Sequence, residues 1–144
     1  DAVLSGPLPS RLVLMLQREA ADRYAAKPGS KAFGAISIFL QSAYTIAPGH
    51  AVAATCFHPR PDVDSFLLHL IRKREPVIFP SPTKELIRGL FQQRRKQIGS
   101  LLRDRLPDQG KSWLSHLGQL GLSPQARPEE VPVEAWQQLM QPAA

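Results

Sequence analysis

The chain has 144 residues, 43% of them hydrophobic and 21% charged, which suits one compact domain or part of a domain with a small appendage. No apolar run approaches the roughly 18 residues that span a bilayer, and the start of the chain lacks the pattern of a signal peptide. The single cysteine, Cys56, permits no internal disulfide. We therefore expect a soluble protein of a reducing compartment, the cytoplasm.

The net charge of +6 is concentrated in the middle of the chain. Residues 66–111 contribute +7, with eleven Lys or Arg against four Asp or Glu, whereas residues 1–65 contribute +1 and residues 112–144 contribute −2. A basic segment of this kind is typical of a protein that binds a polyanion. A solvated face of Lys and Arg explains the charge equally well, so charge alone leaves both interpretations open.

The first part of the chain combines a strand pattern with a helix pattern. The apolar run Leu12–Leu16 predicts a buried parallel strand that is covered on both faces. Gln17–Ala26 is rich in helix formers, and Glu19 and Arg23 have the i,i+4 spacing of a helix ion pair. Pro28-Gly29 is expected to stop this helix.

A second helix and a β-hairpin are predicted next. Apolar residues recur every three or four positions from residue 30 to about residue 42 or 44, which is the period of an amphipathic helix. Pro48-Gly49 is expected to end the connection to the following strand. Ala51–Phe57 and Val63–Ile71 then predict two strands that form a hairpin around a proline-bearing loop.

Beyond Pro82 the sequence pattern is helical only. Thr83 is the predicted N-cap, and Glu85 is expected in the first turn, where a negative charge favours the helix dipole. One helix is predicted through the apolar residues Ile87, Leu90, Phe91, Ile98, Leu101 and Leu102. Arg94 and Arg95 lie at about 60° and 40° on either side of Phe91, where a plain core helix usually carries an apolar residue.

Two short helices complete the predicted elements. The first runs through Trp113 to Leu120 and is closed by Gly121, and the last contains Val133, Trp136, Leu139 and Met140. The whole order predicts an α/β fold, the second half of an open sheet that ends in a hairpin and is followed by a small α-helical domain. We place the domain boundary after residue 75, so that residues 1–75 form the α/β part and residues 76–144 form the α-helical domain.

Four segments, taken in order, carry a family resemblance. They are Gln17-Arg18-Glu19-Ala20-Ala21-Asp22-Arg23, Pro28-Gly29-Ser30-Lys31-Ala32-Phe33-Gly34, Phe57-His58-Pro59-Arg60-Pro61-Asp62-Val63-Asp64-Ser65 and Phe91-Gln92-Gln93-Arg94-Arg95-Lys96. Together with the tail Arg127–Trp136 they resemble the RNA adenine dimethyltransferases. The Ser-Lys-x-Phe-Gly and Arg-Arg-Lys segments are similar to the ribosomal KsgA/RsmA branch rather than to the antibiotic-resistance branch.

The resemblance implies an enzyme that transfers two methyl groups from S-adenosylmethionine to N6 of each of two adjacent adenosines near the 3′ end of small-subunit rRNA. It also implies a role in ribosome biogenesis, a Rossmann-like methyltransferase sheet and a monomer that acts on the assembling 30S subunit. The family's glycine-rich cofactor loop and its Asn-Leu-Pro-Tyr segment would both lie before Asp1. We therefore expect no cofactor-binding residue in this chain and no activity from the chain alone.

Phe57 is the site residue that the resemblance implies most specifically. In the family this phenylalanine stacks on the extruded target adenine, and an exocyclic amine inside a base stack is indeed out of an enzyme's reach. Pro59 and Pro61 restrict the backbone around them and would make the loop a stiff mount for the ring. The alternative is that Phe57 is an ordinary core residue at the end of a strand.

The candidate RNA-binding residues are all basic. Guanidinium and ammonium groups on one surface would contact phosphate oxygens and so fix the protein's register on a folded RNA. The candidates on the predicted long helix and at the preceding strand end are Arg94, Arg95, Lys96, Arg88, Lys84, Arg103, Arg72, Lys73 and Arg74. For each of these residues, the alternative is a solvated side chain whose aliphatic stem covers the core.

The remaining polar candidates are interpreted as structural. Asp64 and Ser65 are expected to cap or tie the loop to the next strand. The four histidines have no metal-ligand spacing with Cys56 or with one another, so we expect no metal site. A non-catalytic RNA-binding module in ribosome assembly is the main alternative to an enzyme, and a purely structural domain is a more distant one.

Overall fold

The computed structural model describes residues 7–56, 58–60, 64–105 and 109–139. Three strands form its sheet, β1 (Arg11–Gln17), β2 (Tyr44–Val52) and β3 (Ser65–Arg72). The helices are α1 (Arg18–Tyr24), α2 (Ala35–Ala43), α3 (Ser81–Phe91), α4 (Ile98–Arg105), α5 (Gln109–Gln119) and α6 (Val133–Gln138). Short 3₁₀ turns lie at Ala54–Cys56 and Pro128–Glu130. None of the helices in the described ranges has the length and apolar character that a membrane crossing requires.

The sheet has the strand order β1-β3-β2, and both pairs are antiparallel. The predicted hairpin of β2 and β3 is confirmed. The prediction that β1 is a parallel strand covered on both faces is wrong, because β1 pairs antiparallel with β3 and every second residue is exposed. Leu14 packs on the core, whereas Val13 and Met15 are 64% and 55% exposed. Side chains alternate across a strand, so an apolar run on a one-sided sheet leaves half of its side chains in solvent.

The open face of β1 gives a testable expectation. Val13→Thr combined with Met15→Thr should reduce the binding of an environment-sensitive apolar dye, and it should change the free energy of unfolding by less than about 0.5 kcal/mol. Leu14→Ala, on the opposite face of the same strand, should instead cost about 2 kcal/mol in a denaturant titration. Unchanged dye binding by the double variant would show that this face is covered in solution.

Strand β2 begins seven residues before the predicted strand. It follows α2 directly at Tyr44, and Pro48-Gly49 lies inside it at a register shift between Ala47 and His50. A Cβ at Gly49 would collide with the carbonyl oxygen of Leu67, so the close approach of β3 requires glycine there. Pro48-Gly49 is therefore a β-bulge and not the expected end of a loop.

Helices α1 and α2 are shorter than predicted, and a side chain of α2 satisfies backbone groups at the end of α1. The predicted Glu19–Arg23 ion pair is confirmed, with 3.2 Å between the charged atoms. The Gln41 side chain donates to the carbonyl oxygens of Tyr24 and Ala26 at 2.9 and 2.8 Å, which satisfies backbone groups where α1 ends. Helix α2 begins only at Ala35, so the segment from residue 28 to residue 34 is a loop.

The single long helix that was predicted is two helices, α3 and α4, with a turn between them over residues 92–97. The apolar stripe is continuous in sequence because both helices pack on the same core, with Phe91 and Ile98 on either side of the turn buried. Helix α3 begins at Ser81, so Pro80 and not Thr83 is the N-cap, and Glu85 lies beyond the first turn. Proline at the second helical position, Pro82, is tolerated because no helical hydrogen bond is lost there.

The α-helical tail shares its core with α2. Phe91 packs between Phe33 and Trp136, with ring centroids 6.2 and 5.6 Å away. The Gln137 amide donates to the buried hydroxyl of Ser42 at 3.2 Å. Helix α5 is closed as expected by Gly121, whose φ is +82°. The domain boundary at residue 75 stays a prediction.

Candidate nucleic-acid interface

The turn between α3 and α4 presents two exposed cations, Arg95 and Lys96. Its two ends are fixed in different ways. Phe91 is buried where α3 ends, and the backbone N–H of Ile98 donates to the carbonyl oxygen of Ala126 at 2.7 Å where α4 begins. The turn also lines a shallow cleft of about 400 Å³. Exposed cations on a fixed backbone suit phosphate contacts, because little ordering is needed on binding.

Arg94 lies in the same turn but faces the protein. Its Nη2 atom lies 2.8 Å from the carbonyl oxygen of Lys31, 2.7 Å from that of Phe33 and 2.8 Å from Oε2 of Glu129. The guanidinium carbon also lies 5.9 Å from the centre of the Phe91 ring. The Ser-Lys-x-Phe-Gly segment, the Arg-Arg-Lys segment and the tail therefore meet at one side chain. Sequence spacing did not reveal this, because the partners are 63, 61 and 35 positions away.

Lys84 and Arg88, both on α3, lie against an aromatic ring of α2. The Lys84 ammonium and the Arg88 guanidinium are 6.0 and 5.4 Å from the centroid of Phe39, and both residues are half-buried. Cations over an aromatic face are stabilised by the ring quadrupole. The role of these two residues in RNA binding stays a prediction, and the structure gives each a contact within the protein.

The other basic candidates lie on separate elements. Arg72 ends β3 and donates to the carbonyl oxygen of Leu8 at 2.6 Å, and the backbone N–H of Lys73 donates to Ala43. Arg74 and Arg103 are exposed, the first after β3 and the second on α4. The nine candidates were expected on one long helix and one strand end. Because α3 and α4 are separate helices, the candidates expected on the long helix do not share one helix.

The loop between β2 and β3 carries the predicted base-stacking segment. Phe57 and Pro61 lie outside the described residues, and Pro59 is exposed. The two ends of the loop are joined, because Oδ1 of Asp64 accepts a hydrogen bond of 2.8 Å from the backbone N–H of Ala54. The predicted role of Asp64 in tying the loop to the next strand is confirmed. The bond lies at the start of the 3₁₀ turn that directly precedes Phe57.

A site for an adenosyl cofactor in an α/β sheet is built on a strand and the glycine-rich turn that follows it. None of the described strands has such a turn: β1 leads directly into α1, and β2 leads into the 3₁₀ turn at Ala54–Cys56. The expectation that this chain holds no cofactor-binding residue stays a prediction. In the described ranges, His, Cys, Asp and Glu also form no group of three or more that could hold a metal ion.

The structure resembles two solved methyltransferases. A dimethyladenosine transferase from Plasmodium falciparum superposes with a TM-score of 0.78 at 22% identity, over 95% of this chain and 59% of that one. The 23S rRNA methyltransferase ErmE superposes with a TM-score of 0.62 at 20% identity, over 95% of this chain and 56% of that one. At such identities the likeness shows the fold, the second half of a methyltransferase sheet with its helical tail.

Sequence comparison gives the family. The chain is 68% identical over 139 residues to "Ribosomal RNA small subunit methyltransferase A" of Opitutus terrae. The match covers 96% of this chain and 50% of that protein. The chain thus spans about half the length of the curated relatives that it matches. The family model described as "Ribosomal RNA adenine dimethylase" matches residues 2–144. The chain therefore belongs to the ribosomal RNA adenine dimethylase family.

Proposed function

We propose that this chain is the RNA-facing half of a cytoplasmic, monomeric enzyme that dimethylates N6 of two adjacent adenosines near the 3′ end of small-subunit rRNA. The observation that carries the proposal is the 68% identity to the Opitutus terrae enzyme across almost the whole chain. The family resemblance adds S-adenosylmethionine as the methyl donor and a place in ribosome biogenesis. The fixed turn with Arg95 and Lys96 supports contact with RNA.

The residues of this chain would hold the RNA and present its base. Arg95 and Lys96 would contact phosphate oxygens, which gives affinity and register but not base sequence. Phe57 would stack on the extruded adenine, an interaction worth roughly 1–3 kcal/mol per base. Asp64 would hold the part of the loop that precedes Phe57, through its hydrogen bond to the backbone of Ala54. Binding and base presentation would thus rest on separate parts of the chain.

The proposed activity is tested with a chimera in which the amino-terminal half of the Opitutus terrae enzyme precedes this chain. We expect the chimera to transfer labelled methyl groups to small subunits that lack the modification. A folded chimera that binds these subunits without methylating them would contradict the enzymatic proposal. That result would favour the alternative, a non-catalytic RNA-binding module.

The proposed phosphate contacts of the turn should contribute measurably to the salt dependence of RNA affinity. Arg95→Ala and Lys96→Ala should each weaken binding to structured rRNA and reduce the log–log slope of affinity against salt by roughly 0.7–0.9, because each removes one phosphate contact. Filter binding over a range of salt concentrations measures both quantities. Lys111→Ala, which removes an exposed lysine from α5, is the control and should leave the slope unchanged. Equal slopes for all four proteins would show that Arg95 and Lys96 are solvated cations.

A further inference from the structure

We propose that Arg94 and Glu129 form a positioning pair that joins the loop around Lys31 to the turn with Arg95 and Lys96, and so builds one rigid phosphate-binding surface. The proposal rests on the proposed RNA binding and assigns neighbouring arginines different tasks. Arg95 would contact the RNA, whereas Arg94 would hold the protein parts in register. Lys31, an exposed cation of the loop, would become a third contact residue.

The bonds around the pair connect three distant stretches of chain. Arg94 lies within hydrogen-bond distance of two loop carbonyls and of Glu129. Glu129 also fixes the loop through its own backbone, since its carbonyl oxygen accepts a bond of 2.6 Å from the N–H of Gly29. On the far side of the loop, the fully buried Phe33 packs edge-on against Phe91. The loop is therefore held at its start, its middle and its end.

Burial and chemistry distinguish this pair from an ordinary surface ion pair. The side chains of Arg94 and Glu129 are only 37% and 21% exposed, compared with 59% and 83% for Arg23 and Glu19. The three acceptors lie around one nitrogen of the guanidinium, Nη2, and the same planar group lies near the Phe91 ring. A lysine ammonium is a compact charge that does not stack on a ring in this way. Engaging a phosphate through Arg94 would leave the carbonyl groups of Lys31 and Phe33 short of a donor. Arg95 and Lys96 are exposed and carry no such requirement.

Substitution of Glu129 tests the proposal, because the change in charge and the loss of positioning predict opposite changes in RNA affinity. Glu129→Ala makes the protein more positive by one charge, so a purely electrostatic account predicts tighter RNA binding. Loss of positioning predicts weaker binding, by roughly fivefold for a change of 1 kcal/mol. Glu130→Ala removes the same charge from the exposed neighbour on the same 3₁₀ turn and is the matched control. We expect Glu130→Ala to bind as well as the unsubstituted chain or better.

Two conservative variants separate the hydrogen bonds from the charges. Glu129→Gln carries the same charge as Glu129→Ala but keeps an acceptor oxygen, so it should recover much of the lost affinity. Arg94→Lys keeps the positive charge but loses the planar group that lies near Phe91 and reaches the loop carbonyls, so it should bind RNA more weakly than the unsubstituted chain. At the neighbouring position, Arg95→Lys should retain most of the affinity that Arg95→Ala loses.

Thermal melts of the chain give a readout that needs no RNA. Glu129→Ala should lower the melting temperature by about 4 °C, and Arg94→Ala by at least as much, because it also removes the bonds to the carbonyl oxygens of Lys31 and Phe33. The double variant should fall by less than the two shifts combined, because both single variants remove the Arg94–Glu129 bond. Additive shifts, or Glu129→Ala binding RNA as tightly as Glu130→Ala, would overturn the positioning pair. No RNA binding by the unsubstituted chain would overturn the surface together with the proposed function, so the two failures are distinguishable.

Discussion

Replacing Phe57 with alanine in the chimera is expected to lower methylation by roughly tenfold to more than a hundredfold while RNA affinity stays nearly unchanged. Stacking on the extruded adenine is worth about 1–3 kcal/mol, and this range corresponds to that loss of rate if the stacking is fully expressed in the transition state. Most of the affinity would come from phosphate contacts elsewhere on the chain. Single-turnover methylation and filter binding on the same preparations measure the two effects separately.

The controls for Phe57 distinguish a stacking ring from a core residue. Phe57→Tyr and Phe57→Trp each keep a π surface and should retain much more activity than the alanine variant. A core role would instead cost about 3–5 kcal/mol of stability on truncation to alanine, and rate and affinity would fall together. A large drop in melting temperature with a parallel loss of binding would therefore remove Phe57 from the proposed site.

Local sequence patterns correctly predicted the features that are determined by interactions between residues close in the sequence. The Glu19–Arg23 ion pair follows from helix spacing, and the end of α5 follows from the positive φ of Gly121. The hairpin of β2 and β3 follows from two neighbouring apolar runs. Such features depend on a few adjacent residues, and the sequence displays those directly.

The features that were missed depend on contacts between distant residues. Pro48-Gly49 was interpreted as a loop because only the approach of β3 shows that a bulge is needed there. The turn after Phe91 was hidden because α3 and α4 pack on one core and keep a common apolar period. Arg94 was taken for a surface residue, and its partners are visible only after the loop and the tail have folded against it.

The other large effect is expected at Trp136, which is fully buried in the core shared by α2 and the helical tail. Its ring centroid lies 5.6 Å from that of Phe91 and 5.0 Å from that of Trp113, and its indole N–H donates to the carbonyl oxygen of Val131 at 3.1 Å. Trp136→Ala should cost about 3–5 kcal/mol, because it leaves a cavity among the rings and a carbonyl without its donor. The melting temperature of the chain should fall by about 10–20 °C.

Two further variants show whether the loss at Trp136 comes from the cavity. Trp136→Phe keeps a ring but no donor, so it should cost clearly less than alanine, about 1–2 kcal/mol for the bond to Val131. Leu120→Ala, at a 51% exposed position on the same tail, should stay within about 0.5 kcal/mol of the unsubstituted chain. A melting temperature for Trp136→Ala no lower than that of Leu120→Ala would contradict the shared core. Because Phe91 packs on Trp136 immediately before the turn, the proposed rRNA binding through Arg95 and Lys96 should be lost over the same temperature range as the fold.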